Sequence, residues 1–165
     1  MLIFLDTEFT DFIDCELISI GMVSEDGQYL FYAERSDYRR AAVSDFVRLA
    51  VLPHLGLQAE AVCTRVELEA RLWAWFATLP LQVQIACDSQ HDLDLLWDAF
   101  GEGLPENLAP KRYKLAHLID TTVFHAAVRN YQATQGCWHH ALHDARANRA
   151  GWMAWVNAHK GETSS

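Results

Sequence analysis

One stretch decides the fold, and it reads Leu2-Ile3-Phe4-Leu5-Asp6-Thr7-Glu8-Phe9. Its first four residues are a short apolar run, which is typical of a strand buried on both faces. Asp6 and Glu8 end that strand. Because side chains two residues apart point the same way, both carboxylates leave one face about 7 Å apart. They can converge from there on a metal ion. Taken alone, the pair is explained more simply as a solvated strand end.

Around this strand the hydrophobic pattern alternates between strand-like and helix-like segments. It predicts strands over residues 17–23 and 28–33, joined at the turn dipeptide Asp26-Gly27. Two later strands are predicted, over residues 82–87 and, shorter, over 117–119. The expected fold is therefore α/β, with a mixed five-stranded sheet on which helices pack.

Helical spacing of apolar residues recurs through the rest of the chain. Phe46 belongs to the apolar stripe of the first such segment, and Thr64 with Glu67 fits a capping box before the second. A long loop is predicted over residues 101–114. The predicted helices cover residues 41–51, 67–79, 92–100, 121–131 and 140–158.

The composition describes one globular domain. Of 165 residues, 51% are hydrophobic, which is enough to bury a core. The predicted domain covers residues 1–160, and the small polar tail 161–165 is expected to fray. With 13 Lys and Arg against 22 Asp and Glu, the net charge is −9, which argues against a broad duplex-binding surface. A local nucleic-acid site is still open to an acidic protein where metal ions neutralise its carboxylates.

Targeting features and cysteine usage predict a cytoplasmic protein outside the membrane. No stretch approaches the roughly 18 consecutive apolar residues of a spanning helix. The N-terminus lacks the charged and then apolar segments of a signal peptide. The cysteines form no Cys-x-x-Cys pair and are expected to be reduced thiols. They are Cys15, Cys63, Cys87 and Cys137.

A second acidic group, Asp88-Ser89-Gln90-His91-Asp92, lies between a predicted strand and a predicted helix. Carboxylates there sit at the carboxyl end of a strand, where open α/β sheets place their ligands. Taken alone, the segment is also explained by helix capping, with Asp88 or Ser89 as the cap and Asp92 in the first turn.

A third polar group reads Trp138-His139-His140-Ala141-Leu142-His143-Asp144-Ala145. On one continuous helix His139 and Asp144 would point about 140° apart and could not share a site. They can meet only if the helix begins near His140, with His139 in the turn before it. Gly136 just upstream suits such a boundary.

In chain order the three groups read Asp-x-Glu, then Asp, then His-x-Ala-Leu-x-Asp-Ala. This order resembles the DEDDh 3′→5′ exonucleases of the ribonuclease H-like superfamily, which include RNase T, oligoribonuclease and the proofreading subunit of bacterial DNA polymerase III. The likeness covers residues 2 to about 156. The strand over 17–23 and its hairpin also resemble a small bacterial exoribonuclease-like branch. The resemblance implies a ribonuclease H-like mixed five-stranded sheet with helices on both faces.

The resemblance also implies roles for individual residues. His139 would be the general base, and two Mg²⁺ or Mn²⁺ ions would be held by four acids. These acids are Asp6, Glu8, Asp92 and Asp144. Because the second motif lacks the usual His-Asn start, the third acid stays open between Asp92 and Asp88, with Asp94 as a further candidate.

The implied activity removes 5′-mononucleotides from 3′ ends of single-stranded RNA or DNA, with RNA or short oligonucleotides favoured. Phe9 and Phe12 would stack on terminal bases, with core packing as the alternative for both. Substrate contacts are also expected from Thr7 and Asp88. Candidates for holding phosphates, with a solvated surface as the alternative, are Lys111, Arg112, Lys114, Arg146 and Arg149. Relatives are often homodimers, which leaves a homodimer open here.

Two other functions stay open beside the nuclease. The first is a zinc site, although its spacing lacks the paired ligands of a zinc finger. Its ligands would be Cys137, His139, His140 and His143. In that case His139 and His143 would both bind the ion, whereas the nuclease hypothesis places His140 and His143 away from the site. The second is a non-catalytic nucleotide-binding module on the same fold, which the loss of any one acid would favour.

Overall fold

The computed structural model describes residues 1–13, 15–80 and 82–160, and the tail predicted to fray lies outside them. One mixed sheet is built from β1 (Leu2–Phe9), β2 (Leu17–Ser24), β3 (Leu30–Arg35), β4 (Val62–Cys63), β5 (Gln84–Cys87) and β6 (Tyr113–Lys114). Their spatial order is β4-β3-β2-β1-β5-β6. β2 runs antiparallel to β1 and β3, and the other neighbouring pairs are parallel. The mixed sheet is as predicted, but it has six strands because the short β4 pairs with the end of β3.

The helices are α1 (Asp45–Ala50), α2 (Arg65–Ala77), α3 (Gln90–Ala99), α4 (Ala116–Ile119), α5 (Thr122–Thr134) and α6 (Ala141–His159). Short 3-10 turns occupy Arg40–Ala42, Leu52–His54 and Ala59–Ala61. Within the described ranges, no helix has the length and apolar character needed to cross a membrane. The four cysteines form no disulfide, as predicted.

The side chains of β1 alternate between two apolar layers. Ile3 and Leu5 pack into the cluster that includes the buried faces of α2 and α3. Phe4 points to the opposite face, where α5 and α6 pack, and its ring centroid lies 5.5 Å from that of Trp152. β2, which pairs with β1, is buried along its whole length. Helices therefore cover both faces of the sheet and hold the carboxyl end of β1 between them.

The capping signals explain where two helices begin. The predicted start of the first helix at residue 41 is wrong, because the Ser44 side chain accepts a hydrogen bond from the Val47 N–H and sets the start at Asp45. The capping box of Thr64 and Glu67 before α2 is confirmed.

The prediction of a short strand over residues 117–119 is wrong, because these residues lie in α4. The last strand instead lies over Tyr113–Lys114, where it pairs with Ala86 and Cys87 at the end of β5. Because β5 ends at Cys87, no partner strand continues beyond it. The chain turns at the buried Leu115 into α4.

The start of α6 rests directly on Gly21 in the middle of β2. A Cβ atom on residue 21 would lie 2.2 Å from the Leu142 nitrogen and 2.4 Å from the Ala141 carbonyl carbon, closer than Cβ atoms come to backbone. Only glycine at this position lets the first turn of α6 reach the sheet. Gly21 also pairs with Asp6 of β1, so this contact brings the start of α6 beside the first acidic motif.

We predict that Gly21→Ala lowers the free energy of unfolding by about 1–3 kcal/mol or more, because the added methyl group must displace backbone. Urea denaturation measures this change. Ser19→Ala is the matched control, since residue 19 lies on the same face of β2 and the buried Ser19 hydroxyl has no partner among the described residues. A Gly21→Ala protein as stable as the Ser19→Ala protein would contradict this interpretation.

Candidate active site

Three carboxylates from distant parts of the sequence meet at the carboxyl end of β1. Asp6, Glu8 and Asp144 each offer an oxygen, and these oxygens lie within 4.8 Å of one another. In residues 1–13, 15–80 and 82–160, no other group of three His, Cys, Asp or Glu side chains comes together in this way. The structure thus unites the first and third sequence motifs.

Asp92 lies beside this trio in the first turn of α3 and is only 4% exposed. Thr7 donates two hydrogen bonds to Asp92 Oδ1, from its hydroxyl at 2.6 Å and from its backbone N–H at 3.2 Å. Thr7 therefore orients Asp92, and the substrate contact expected of Thr7 stays a prediction. Among carboxylates, Asp92 has the largest effect on the pKa of Asp6.

Asp88 is placed differently from Asp92. It is exposed directly after β5, and its charge is one of the causes that raise the pKa of Asp92. Asp94 accepts a 3.0 Å hydrogen bond from Gln90 and lines a different cavity, which none of the four acids borders. Of the three acids that the sequence left open, the geometry favours Asp92 as the fourth member of the site. Ser89 caps α3, so the capping interpretation of this segment also holds.

Asp144 is fixed by donors on both sides of its carboxylate. Its Oδ2 accepts backbone N–H bonds from His139 at 2.9 Å and His140 at 3.2 Å. Its Oδ1 accepts a hydrogen bond from Gln132 Nε2 on α5. The backbone turns sharply at His139, whose φ is +63°, and α6 begins at Ala141. This is the helix boundary that the spacing of His139 and Asp144 required.

Burial raises the pKa of each of the four acids above its usual range. Burial, followed by the charges of Asp92, Asp144 and Glu8, raises the pKa of Asp6 well above its usual range. Burial and neighbouring carboxylates raise the pKa of Glu8 to about 8 and that of Asp92 to about 7. Burial raises the pKa of Asp144 to about 6, although its N–H donors act against this rise. Carboxylate donors crowded in this way fit a hard divalent cation.

The His139 ring packs edge-on against Phe46 of α1, with ring centroids 5.0 Å apart. The sequence placed Phe46 on the inner stripe of its helix, and this prediction is wrong, because the side chain is 61% exposed. Val47 fills the inner position, and one residue along a helix turns the side chain by about 100°. Phe46 is therefore free to line the site.

A cavity of about 280 Å³ opens beside Glu8 between the rings of Phe12 and Phe46. Phe9 lines the same cavity and packs on Phe12, with centroids 5.2 Å apart, and on His91 at 5.4 Å. Phe12 is 76% exposed, so core packing does not account for it. An apolar slot between exposed aromatic rings suits a flat ring such as a nucleobase.

Two of the basic candidates have structural partners. Arg112 donates to the carbonyls of Cys87 at 3.0 Å and Asp88 at 2.9 Å and so fixes the end of β5. Arg149 donates to the Glu25 carbonyl at the β2–β3 turn, at the opposite end of β2 from the acids. Phosphate binding by these two arginines stays a prediction. The same holds for Lys111, Lys114 and Arg146.

The residues of the alternative zinc site form no cluster of three ligands in the described ranges, although the ring centroids of His140 and His143 lie 4.8 Å apart. His140 is buried and stacks on Tyr32, with ring centroids 4.7 Å apart. His143 Nδ1 lies 3.3 Å from the Tyr131 hydroxyl. Across the described part of the chain, Cys137 shares no three-ligand cluster with these histidines. The burial of His140 also means that replacing it would disturb packing.

Sequence reasoning missed Gln132, although a signal for it was present. Phe124, Val128 and Gln132 follow one another at intervals of four on the buried face of α5. A glutamine at a core position of an amphipathic helix needs a hydrogen-bond partner. That partner is Asp144, which only the fold reveals.

Comparisons with known proteins add no family assignment to this geometry. No protein-family model matches the chain, and no curated protein matches it significantly.

We predict that the metal-free protein loses stability as pH rises from about 4, the usual carboxylate range, to about 8, the pKa of Glu8. The folded state binds these protons more tightly than the unfolded chain, so stability present at low pH is lost as they leave.

At pH 8 without divalent ions, Asp6→Asn should melt higher than wild type. The rise should be roughly 2–4 °C for each kcal/mol of repulsion removed.

Thermal denaturation in a chelating buffer measures this effect, and Glu102→Gln, at an exposed position after α3, is the control. An Asp6→Asn protein that melts below wild type at pH 8 would contradict the electrostatic interpretation, as would a shift equal to that of Glu102→Gln.

Proposed function

We propose that the protein is a divalent-metal-dependent 3′→5′ exonuclease of the DEDDh type on a ribonuclease H-like fold. It acts on single-stranded nucleic acid, with RNA or short oligonucleotides favoured, and releases 5′-mononucleotides. The observation that carries the proposal is the meeting of Asp6, Glu8 and Asp144, with Asp92 beside them. The mixed sheet with helices on both faces is consistent with such a fold.

Two Mg²⁺ or Mn²⁺ ions would be held by the four acids. Their oxygen donors match the preference of these hard cations, and their raised pKa values support a need for compensating positive charge. When bound, such ions supply water of lowered pKa and offset the negative charge of the phosphate. The acids are Asp6, Glu8, Asp92 and Asp144.

His139 would be the group that accepts a proton at this site. Its backbone N–H is bound to Asp144, which ties the turn to the acids, and its ring packs against Phe46. Histidine exchanges protons near neutral pH, as general-base catalysis requires. His139 would take the proton of the attacking water, while Phe46 limits where its ring can lie.

Aromatic side chains beside the acids suit a single-stranded end. Phe12 and Phe46 border the slot next to Glu8, and a terminal base stacked between them would carry its phosphate toward the acids. Stacking tolerates any base, because every base has a flat face. It also needs no broad basic surface, which agrees with the net charge of −9. Asp88 is exposed directly after β5, so a substrate could reach its side chain.

Digestion of matched 5′-labelled RNA and DNA oligonucleotides with Mg²⁺ or Mn²⁺ tests the proposal. We expect stepwise shortening from a 3′-hydroxyl end, resistance of 3′-phosphate and duplex ends, and no product from Asp6→Asn at unchanged fold. Loss follows because Asp6 is central to the acid group. Glu102→Gln should retain wild-type activity.

Two results would contradict the exonuclease. Cutting of a circular single strand would indicate an endonuclease. Binding of nucleotides without metal-dependent cleavage would indicate a non-catalytic nucleotide-binding module instead.

We predict that His139→Ala and His139→Asn lower the turnover rate by roughly 10²–10⁴-fold, the usual effect of losing a general base. Asparagine is included because it tolerates the left-handed backbone that residue 139 adopts. A lower rate in the His139→Asn variant would therefore not be due to backbone strain. The wild-type rate, measured at saturating Mn²⁺, should rise with pH and then level off, as expected of a reaction that needs an unprotonated base. Mn²⁺ affinity, measured by calorimetry, should stay nearly unchanged in both variants.

His143→Ala is the matched control, because His143 contacts Tyr131 instead of the acids. It should retain most of the activity. Equal damage in the His139 and His143 variants, with zinc lost from both and a lower melting temperature, would overturn the assignment in favour of a zinc site.

A further inference from the structure

The buried face of α5 carries one polar residue, and it touches the candidate site. Gln132 is 6% exposed and continues the apolar stripe of Phe124 and Val128. Its Nε2 donates to Asp144 Oδ1, whereas its own Oε1 is buried without a partner among the described residues. An unpaired buried acceptor is unfavourable, and an apolar residue of similar volume would avoid it. Packing alone therefore does not explain a glutamine here.

The orientation of the amide follows from the chemistry of its partner. An ionised carboxylate only accepts hydrogen bonds, so the NH₂ group of Gln132 must face Asp144. Gly136 keeps room for this arrangement, because a Cβ atom at residue 136 would lie 2.8 Å from Gln132 Oε1. The amide orientation in the structure is thus the one that an ionised Asp144 requires.

A count of lone pairs on Asp144 shows what Gln132 controls. A carboxylate has about four acceptor sites, two on each oxygen. Both sites of Oδ2 are taken by the N–H groups of His139 and His140. Gln132 takes one site of Oδ1, which leaves the other for a ligand. Because the backbone donors fix one edge of the carboxylate, Gln132 fixes the direction in which the remaining lone pair points.

We propose that Gln132 is a positioning residue that aims the free lone pair of Asp144 at the divalent ion. This inference rests on one part of the proposed function, namely that the four acids bind the metal ions. Outer hydrogen bonds to metal ligands orient them, and their loss typically weakens metal affinity about 10–100-fold. Gln132 has no role in proton transfer and acts through Asp144.

Mn²⁺ binding to the full-length protein, followed by calorimetry, tests the proposal without reference to activity. Gln132→Met keeps the volume and removes the donor, and Gln132→Glu keeps the shape but presents an acceptor to Asp144. Both should bind Mn²⁺ about 10–100-fold more weakly than wild type. Gln135→Leu, one turn further along and exposed, is the control and should bind as wild type does. For Gln132→Met, turnover should approach the wild-type value when Mn²⁺ is raised by the same factor.

The outcomes separate this proposal from the nuclease. Weaker Mn²⁺ binding by both Gln132 variants supports the positioning role, whether or not the wild-type protein cleaves nucleic acid. Wild-type Mn²⁺ affinity in a folded Gln132→Met protein overturns it, even if the protein is an active exonuclease. Equal weakening in Gln135→Leu overturns it as well, and so does a wild-type protein that binds no Mn²⁺. Circular dichroism confirms that each variant is folded.

Discussion

The close contact between Gly21 and the first turn of α6 is the constraint on which the site depends. Gly21 lies opposite Asp6 in the sheet, and the absence of a side chain lets the Ala141–Leu142 backbone rest on β2. Because Asp144 follows in that same turn, the contact decides how near the third motif comes to the first. The absence of a methyl group at residue 21 thus sets the distance between the carboxylates of Asp6 and Asp144, which lie 138 residues apart in the sequence.

The fold must also hold together acids that repel one another. Hydrogen-bond donors do part of this work, since Thr7 binds Asp92 while Gln132 and two backbone N–H groups bind Asp144. Within residues 1–13, 15–80 and 82–160, no Lys, Arg or His side chain forms a salt bridge with these acids, and the four salt bridges found there lie elsewhere. Bound divalent ions would relieve the repulsion, which links the stability of the protein to the function proposed for it.

Local rules made much of the fold predictable, and long-range contacts account for the rest. The apolar run before Asp6 predicts β1, and the Thr64 capping box predicts the start of α2, because both signals lie within a few residues. The strand at Tyr113 was misplaced because its position depends on where β5 ends. The roles of Phe46 and Gln132 depend on long-range contacts as well. Phe46 packs against His139, about 90 positions away, and Gln132 binds Asp144, 12 positions away.

Anomalous diffraction from crystals soaked in Mn²⁺ and a 5′-mononucleotide would locate the ions directly. Two peaks bounded by the carboxylates of Asp6, Glu8, Asp92 and Asp144, with the nucleotide base between Phe12 and Phe46, are the predicted result. A binding site for the ion at Cys137 and the neighbouring histidines would contradict the proposed metal centre. The same conclusion would follow if these carboxylates showed no peak at saturating Mn²⁺.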